Sequence, residues 1–206
     1  MIYYFVNDLP DGLLLQGDLA IDTEAMGLNI HRDRLCVVQI KDSGDNVYLV
    51  HFPISNFNYS CKNLKHYLTD PYVQKIFHYA RFDVAIIKHY LKIDEIPNVY
   101  CTKIASRLCR TYTDSHGLRS LVFDLLKVDL KKDQQSSNWG ADSLTDAQQN
   151  YAANDVLYLH SLRNILNQML EKNGRKNIFS RYCSFINTVC DSDLAGFNED
   201  LFRCIG

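Results

Sequence analysis

The chain has 206 residues, 47% of them hydrophobic, and a formal charge of −2. That is enough for one domain with a full core. With 22 Lys and Arg against 24 Asp and Glu, it lacks the basic surplus of a protein that grips long nucleic acid along its backbone, so any nucleic-acid contact is few and local. Four prolines and nine glycines leave no room for a long flexible linker. No apolar run reaches the length of a membrane span, and residues 1–10 lack the basic start of a secretory signal. The seven cysteines, Cys36, Cys61, Cys101, Cys109, Cys183, Cys190 and Cys204, include no Cys-x-x-Cys pair, which argues against zinc. Reduced thiols in a cytoplasmic protein are the expectation.

Residues 18–22 read as a strand that runs on into Thr23 and Glu24. The β-rich runs 35–40 and 46–50 follow, with Ser-Gly-Asp-Asn turn chemistry at 43–46 between them, and so predict a hairpin. A helix is expected over 61–68, a short strand over 75–78 and a helix from about 81 to 91. After Pro97, a short strand at 99–100 leads to a helix with Thr102 as its N-cap. Leu118, Leu121, Val122, Leu125 and Leu126 recur at helical spacing, and the polar stretch 131–142 reads as a loop. One long helix is expected over about 145–172, ending at Asn173-Gly174, and a last helix over 177–189. Strands first, then strands alternating with helices, point to a three-layer α/β domain with a mixed sheet.

The acids stand out against this pattern. Asp22 and Glu24 are two apart on a strand and so project from one face. Asp83 lies at a strand-to-helix junction, where a helix start favours an acid in any case. Tyr151 and Asp155 are four apart on one helix face. Each acid sits in or beside an apolar segment, where a bare carboxylate is costly. A fold that gathers Asp22, Glu24, Asp83 and Asp155 must neutralise them, and two divalent cations, Mg²⁺ or Mn²⁺, are the fitting agent. Such a site performs metal-assisted phosphodiester cleavage, with the Tyr151 hydroxyl holding or deprotonating the attacking water. Taken singly, each motif has an ordinary reading: solvent-facing acids on an edge strand, a helix-start aspartate, a buried tyrosine near an acid. Lys103, Arg107, Arg110, His116 and Arg119 form a local basic group. They are either a solvated helix face or a cap for a terminal 5′-phosphate. Trp139, alone of its kind, either stacks a base or pins its loop to the core.

In this order the motifs resemble those of the DEDDy 3′-5′ exonucleases, the branch of ribonuclease D and of polymerase proofreading domains, over residues 21 to about 163. The strings 29–39 (NIHRDRLCVVQ), 101–107 (CTKIASR), 110–118 (RTYTDSHGL) and 134–139 (QQSSNW) resemble more narrowly the short alphaproteobacterial diribonucleases of the nanoRNase C type. The resemblance implies a ribonuclease-H-like three-layer fold with a mixed five-stranded sheet. It also implies one exonuclease domain over 1–206, with a helical extension over about 175–206 and no HRDC domain. It implies a 3′-5′ exoribonuclease that uses two divalent cations and acts chiefly on 5′-phosphorylated dinucleotides. Leu28 takes the place of a residue that wedges between two bases in similar oligoribonucleases; its ordinary reading is a core leucine. The implied assembly is a ring of eight copies. The spacing of Leu194, Phe197, Leu201 and Phe202 is consistent with an apolar stripe for such contacts, or with one folded onto its own subunit. Cys101 departs from the ribonuclease D pattern, which has Asp before the Thr, but at no metal-ligand position. Trimming of longer RNA, DNA cleavage, a non-catalytic binding module and a structural protein are the alternatives.

Overall fold

The computed structural model describes residues 1–130 and 137–197. Among these residues, six strands form one sheet: β1 (Ile2–Val6), β2 (Leu19–Ala25), β3 (Leu35–Lys41), β4 (Val47–His51), β5 (Lys75–Phe77) and β6 (Val99–Cys101). Their order is β1-β4-β3-β2-β5-β6. Only β3 runs against its neighbours; the other pairings are parallel. The turn at 43–46 closes the expected β3–β4 hairpin, with Lys41 opposite Val47. It is held by the Asp42 carboxylate, which accepts from the Gly44 amide at 3.0 Å.

Among the described residues, eight helices accompany the sheet: α1 (Lys62–Thr69), α2 (Ala80–Leu91), α3 (Thr102–Cys109), α4 (Leu118–Leu126), α5 (Asp146–Leu157), α6 (Leu159–Lys172), α7 (Lys176–Ser184) and α8 (Ile186–Leu194). α5 packs across β2, β3 and β4, whereas α2 packs on β3, β5 and β6 and carries α8 on its outer side. The continuous core includes Leu19, Ile21, Val38, Ile40 and Leu49 from the strands and Val84, Ile87, Ala152 and Val156 from the helices. β3 and β4 are buried along their whole length, which is why they read as unbroken apolar runs rather than alternating ones.

The expected three-layer mixed α/β fold is present, with four departures. The sheet has six strands, not five. The extra one, β1, is a half-exposed edge strand that pairs with β4 more than forty residues away, a non-local contact that local pattern does not reveal. The helix expected over 145–172 is two helices, α5 and α6, parted at Tyr158. No Gly or Pro marks this break. Immediately after it, His160 bonds the Asp18 carbonyl and Arg163 pairs with the Asp18 carboxylate, which re-aims α6 at the start of β2. The helix expected over 177–189 likewise divides at Phe185 into α7 and α8. Thr102 is not an N-cap: it is the first helical residue, and its hydroxyl donates to the Phe77 carbonyl at 3.1 Å. Residues 134–136, Leu201 and Phe202 lie outside the described residues.

Candidate active site

β2 alternates, and the alternation builds the site. Asp22 and Glu24 project toward α5, where Asp155 stands, and one carboxylate oxygen from each of the three lies within 4.8 Å of the others. Thr23, between them, serves the fourth acid: its hydroxyl donates to Asp83 at 2.6 Å. Asp83 sits in the first turn of α2 and is 4% exposed. The positive end of the α2 dipole favours an acid there. α5 is placed by a reciprocal capping box, in which the Thr145 hydroxyl accepts from the Gln148 amide and the Gln148 side chain accepts from the Thr145 amide. Such a box fixes the start of a helix and with it the pose of Tyr151 and Asp155.

Asp22, Glu24, Asp155 and Tyr151 open into a cleft of about 450 Å³, whose wall also holds Thr23, His78 and Arg119. Burial raises the Asp22 carboxyl well above its ordinary value, and Asp83, Asp155 and Glu24 push it further. Glu24 is pushed up to about 9, by burial first and then by Asp155 and Asp83. Burial raises Asp155 to about 7, and it raises Asp83 to about 7 against the Thr23 hydrogen bond. The Tyr151 phenol is raised by burial and then by Asp155, Glu24 and Asp22. Such a cluster cannot ionise together without added positive charge. The residues fit divalent cations: the donors are hard carboxylate oxygens, and Gln39, directly opposite Asp22 in the β2–β3 register, is fully buried with neither amide atom partnered.

The basic group does not stay together. Arg119 lines the acidic cleft and pairs with Asp129 at 2.8 Å. Lys103 and Arg107 line a separate, larger cavity of about 590 Å³ between α3, α7 and α8, where the Lys103 ammonium stands 4.0 Å from the Tyr79 ring centre. Arg110 is buried, held by Asp124, the Ser115 carbonyl and the Ser106 hydroxyl. A structural role explains it without substrate. His116 shares the Ser106 hydroxyl with Arg110. Leu28 is no core leucine: it is 85% exposed, on a turn so tight that a Cβ on Gly27 would fall 2.3 Å from Asp33 Oδ2. Trp139 is 2% exposed, so it pins its loop, with its ring centre 6.0 Å from that of Tyr151.

Two cleft residues escaped the sequence reading. His78 bonds the Thr102 hydroxyl through Nδ1 at 2.9 Å, and burial drives it down to about 3, so it is neutral. Its signal was its place five residues before Asp83. Thr23 was hidden between two acids that drew attention to themselves.

A mixed sheet with a β2 acid pair, an α2 acid and an α5 Tyr-x-x-x-Asp is the architecture of a 3′-5′ exonuclease. The sequence model for "3′-5′ exonuclease" matches residues 6–171, and the chain belongs to this family. More narrowly, the chain is similar to Brucella melitensis NrnC, at 44% identity with 98% of each chain covered and a TM-score of 0.89. The Brucella protein bound to pGG matches at 42% identity, again over 98% of each chain, with a TM-score of 0.90; a third structure of it holds Mg²⁺. Ribonuclease D of Granulibacter bethesdensis is 31% identical over 170 residues, 82% of this chain and 42% of that protein. The chain thus spans less than half the length of such ribonuclease D relatives. Among the described residues, no helix is long and apolar enough to cross a membrane.

The raised carboxyls make the metal-free fold sensitive to pH. A carboxyl whose folded value is raised stabilises the fold fully below its unfolded value near 4, and that contribution is lost as pH rises through the folded value. Here the window runs from about 4 through the values near 7 for Asp83 and Asp155 to about 9 for Glu24. In EDTA, the melting temperature should fall between about pH 6 and pH 8, and Mg²⁺ or Mn²⁺ should restore more of it at the higher pH. Equal melting temperatures in EDTA, unmoved by either ion, would contradict the cluster.

Proposed function

We propose that this protein is a metal-dependent 3′-5′ exoribonuclease that cleaves very short RNA, chiefly 5′-phosphorylated dinucleotides, to mononucleotides. The observation that carries the reading is the gathering of Asp22, Glu24 and Asp155 within 4.8 Å, with Asp83 behind and Tyr151 beside them in one cleft. Asp22, Glu24, Asp83 and Asp155 would hold two divalent ions, Mg²⁺ or Mn²⁺. Bound there, the ions would lower the pKa of a water and offset charge on the departing 3′-oxygen. The Tyr151 hydroxyl, raised by its surroundings, stays protonated and suits orienting that water rather than removing its proton. His78, neutral and on the cleft wall, offers Nε2 as a polar contact, because its Nδ1 is engaged with Thr102.

The short-substrate preference is supported by the net charge of −2 and by the likeness to a protein whose structure has pGG bound. Leu28, exposed just past the acid pair, supports a wedge against bases. Arg119 on the cleft wall supports capture of a 5′-phosphate; Lys103 and Arg107, named with it in the same reading, line the neighbouring larger cavity instead. A cytoplasmic ring of eight copies belongs to the same reading; Tyr182, Phe185 and Phe197, exposed around the larger cavity, support a face that another copy covers. Trimming of longer RNA in the manner of ribonuclease D is the second reading, favoured by 31% identity to those proteins.

Asp155→Asn should abolish turnover and leave the fold intact, and Tyr151→Phe should lower kcat on the order of 10²-fold; near-normal turnover of Asp155→Asn at saturating substrate would refute the site. Substrate choice is read separately. Labelled RNAs of about two to ten nucleotides, each with a 5′-phosphate or a 5′-hydroxyl, should be cut fastest as the 5′-phosphorylated dimer. Equal rates for both ends would remove the phosphate cap, and faster loss of the longest RNA would favour the second reading.

A further inference from the structure

Tyr151 is supported from behind by a polar chain that the reaction does not use. The Trp139 ring lies tilted at 42° against the Tyr151 ring, centres 6.0 Å apart, within the range of interacting aromatic pairs. The Trp139 backbone carbonyl is 3.1 Å from His51 Nε2. A carbonyl only accepts, so Nε2 carries the imidazole proton. The other nitrogen, Nδ1, is then an acceptor, and the Tyr4 hydroxyl 2.5 Å away donates to it. His51 is fully buried at the end of β4, and burial favours the neutral ring. Each group in the chain therefore has one donor–acceptor assignment, running Tyr4 to His51 to the Trp139 carbonyl.

Two further bonds fix the same loop. Arg34 Nη2 donates to the Gly140 carbonyl at 3.1 Å, and Gln148 Nε2 donates to the Asn138 carbonyl at 3.2 Å. A buried imidazole is costly unless satisfied, and an apolar side chain would fill the space at the end of β4 more cheaply. What the imidazole adds is direction: it holds one carbonyl in one place.

We propose that Tyr4, His51 and Trp139 are positioning residues that set the pose of the Tyr151 hydroxyl through the Trp139 ring. This gives β1 a task at the site: it brings Tyr4 beside β4, where Val6 pairs opposite His51. The proposal rests on Tyr151 orienting the attacking water, and the two fail differently. If Tyr151→Phe keeps full activity, the reading of Tyr151 fails. If Tyr151→Phe is slow but the variants below are fully active, the relay fails.

The test is steady-state kinetics on a 5′-phosphorylated diribonucleotide with saturating Mn²⁺. His51→Leu, which removes the donor, should lower kcat about tenfold with KM nearly unchanged, and His51→Gln, which keeps an N–H donor, should recover most of the loss. In the Tyr151→Phe background His51→Leu should have no further effect, because both act through one hydroxyl. Tyr4→Phe removes a single oxygen from a half-buried ring and keeps the test open should His51→Leu not fold; about a threefold loss of kcat is expected, absent in the Tyr151→Phe background. Losses that multiply with that of Tyr151→Phe, or that fall on KM, would overturn the relay and leave His51 as packing.

Discussion

Four carboxylates gather at one site, three of them on the wall of the cleft, and much of the structure answers to their mutual repulsion. Two unit charges at the 4.8 Å limit that encloses Asp22, Glu24 and Asp155 repel by on the order of 3 kcal/mol at an effective dielectric constant near 20. Protonation relieves this, as the raised carboxyls attest, and divalent cations relieve it with the acids ionised. Thr23 and the N-terminal end of α2 hold Asp83 close enough to the other three acids to feel their charge. The alternation of one strand serves both tasks: its even-numbered residues carry the acid pair, and the residue between them anchors a third acid.

The other half of the site depends on α5. Its capping box, the loop at 137–142 and the β1–β4 pairing all bear on where Tyr151 and Asp155 stand. These supports come from distant parts of the chain: the Arg34 guanidinium donates to both the Phe52 and the Gly140 carbonyls, and β1 reaches His51 through Tyr4. Small changes at the sheet edge can therefore reach the cleft without touching substrate. Arg110 is the opposite case. It lies in a motif string beside the cleft, yet its guanidinium is consumed in holding α3 to α4 and the loop between them.

The acids and the tyrosine were legible in the sequence because their spacings are geometric: two on a strand, four on a helix. The β3–β4 hairpin was legible from its turn, and so was the start of a helix near Thr145, though not its end at Leu157. Other features carried no local mark. β1 pairs in parallel across a long separation, and its half-exposed pattern resembles a loose N-terminus. The break at Tyr158 has neither Gly nor Pro, and the bonds just beyond it, from His160 and Arg163 to Asp18, join residues far apart in the chain. The basic residues clustered in sequence but parted in space, since burial of Arg110 depends on Asp124 across a turn. Trp139 could have been a stacking platform or a loop anchor from sequence alone; its burial against Tyr151 decides for the anchor.

If the carboxylate cleft drives hydrolysis, water itself must be the nucleophile, and the bond from phosphorus to the 3′-oxygen must break. Cleavage of a dinucleotide in ¹⁸O-labelled water with Mn²⁺ tests this directly by mass spectrometry of the products. The account predicts one ¹⁸O atom in the 5′-phosphate of the released 3′-terminal nucleotide, an unlabelled partner with a free 3′-hydroxyl, and no reaction in EDTA. A 2′,3′-cyclic phosphate, or cleavage that proceeds in EDTA, would mean attack by the ribose hydroxyl and would contradict the assignment of the acids.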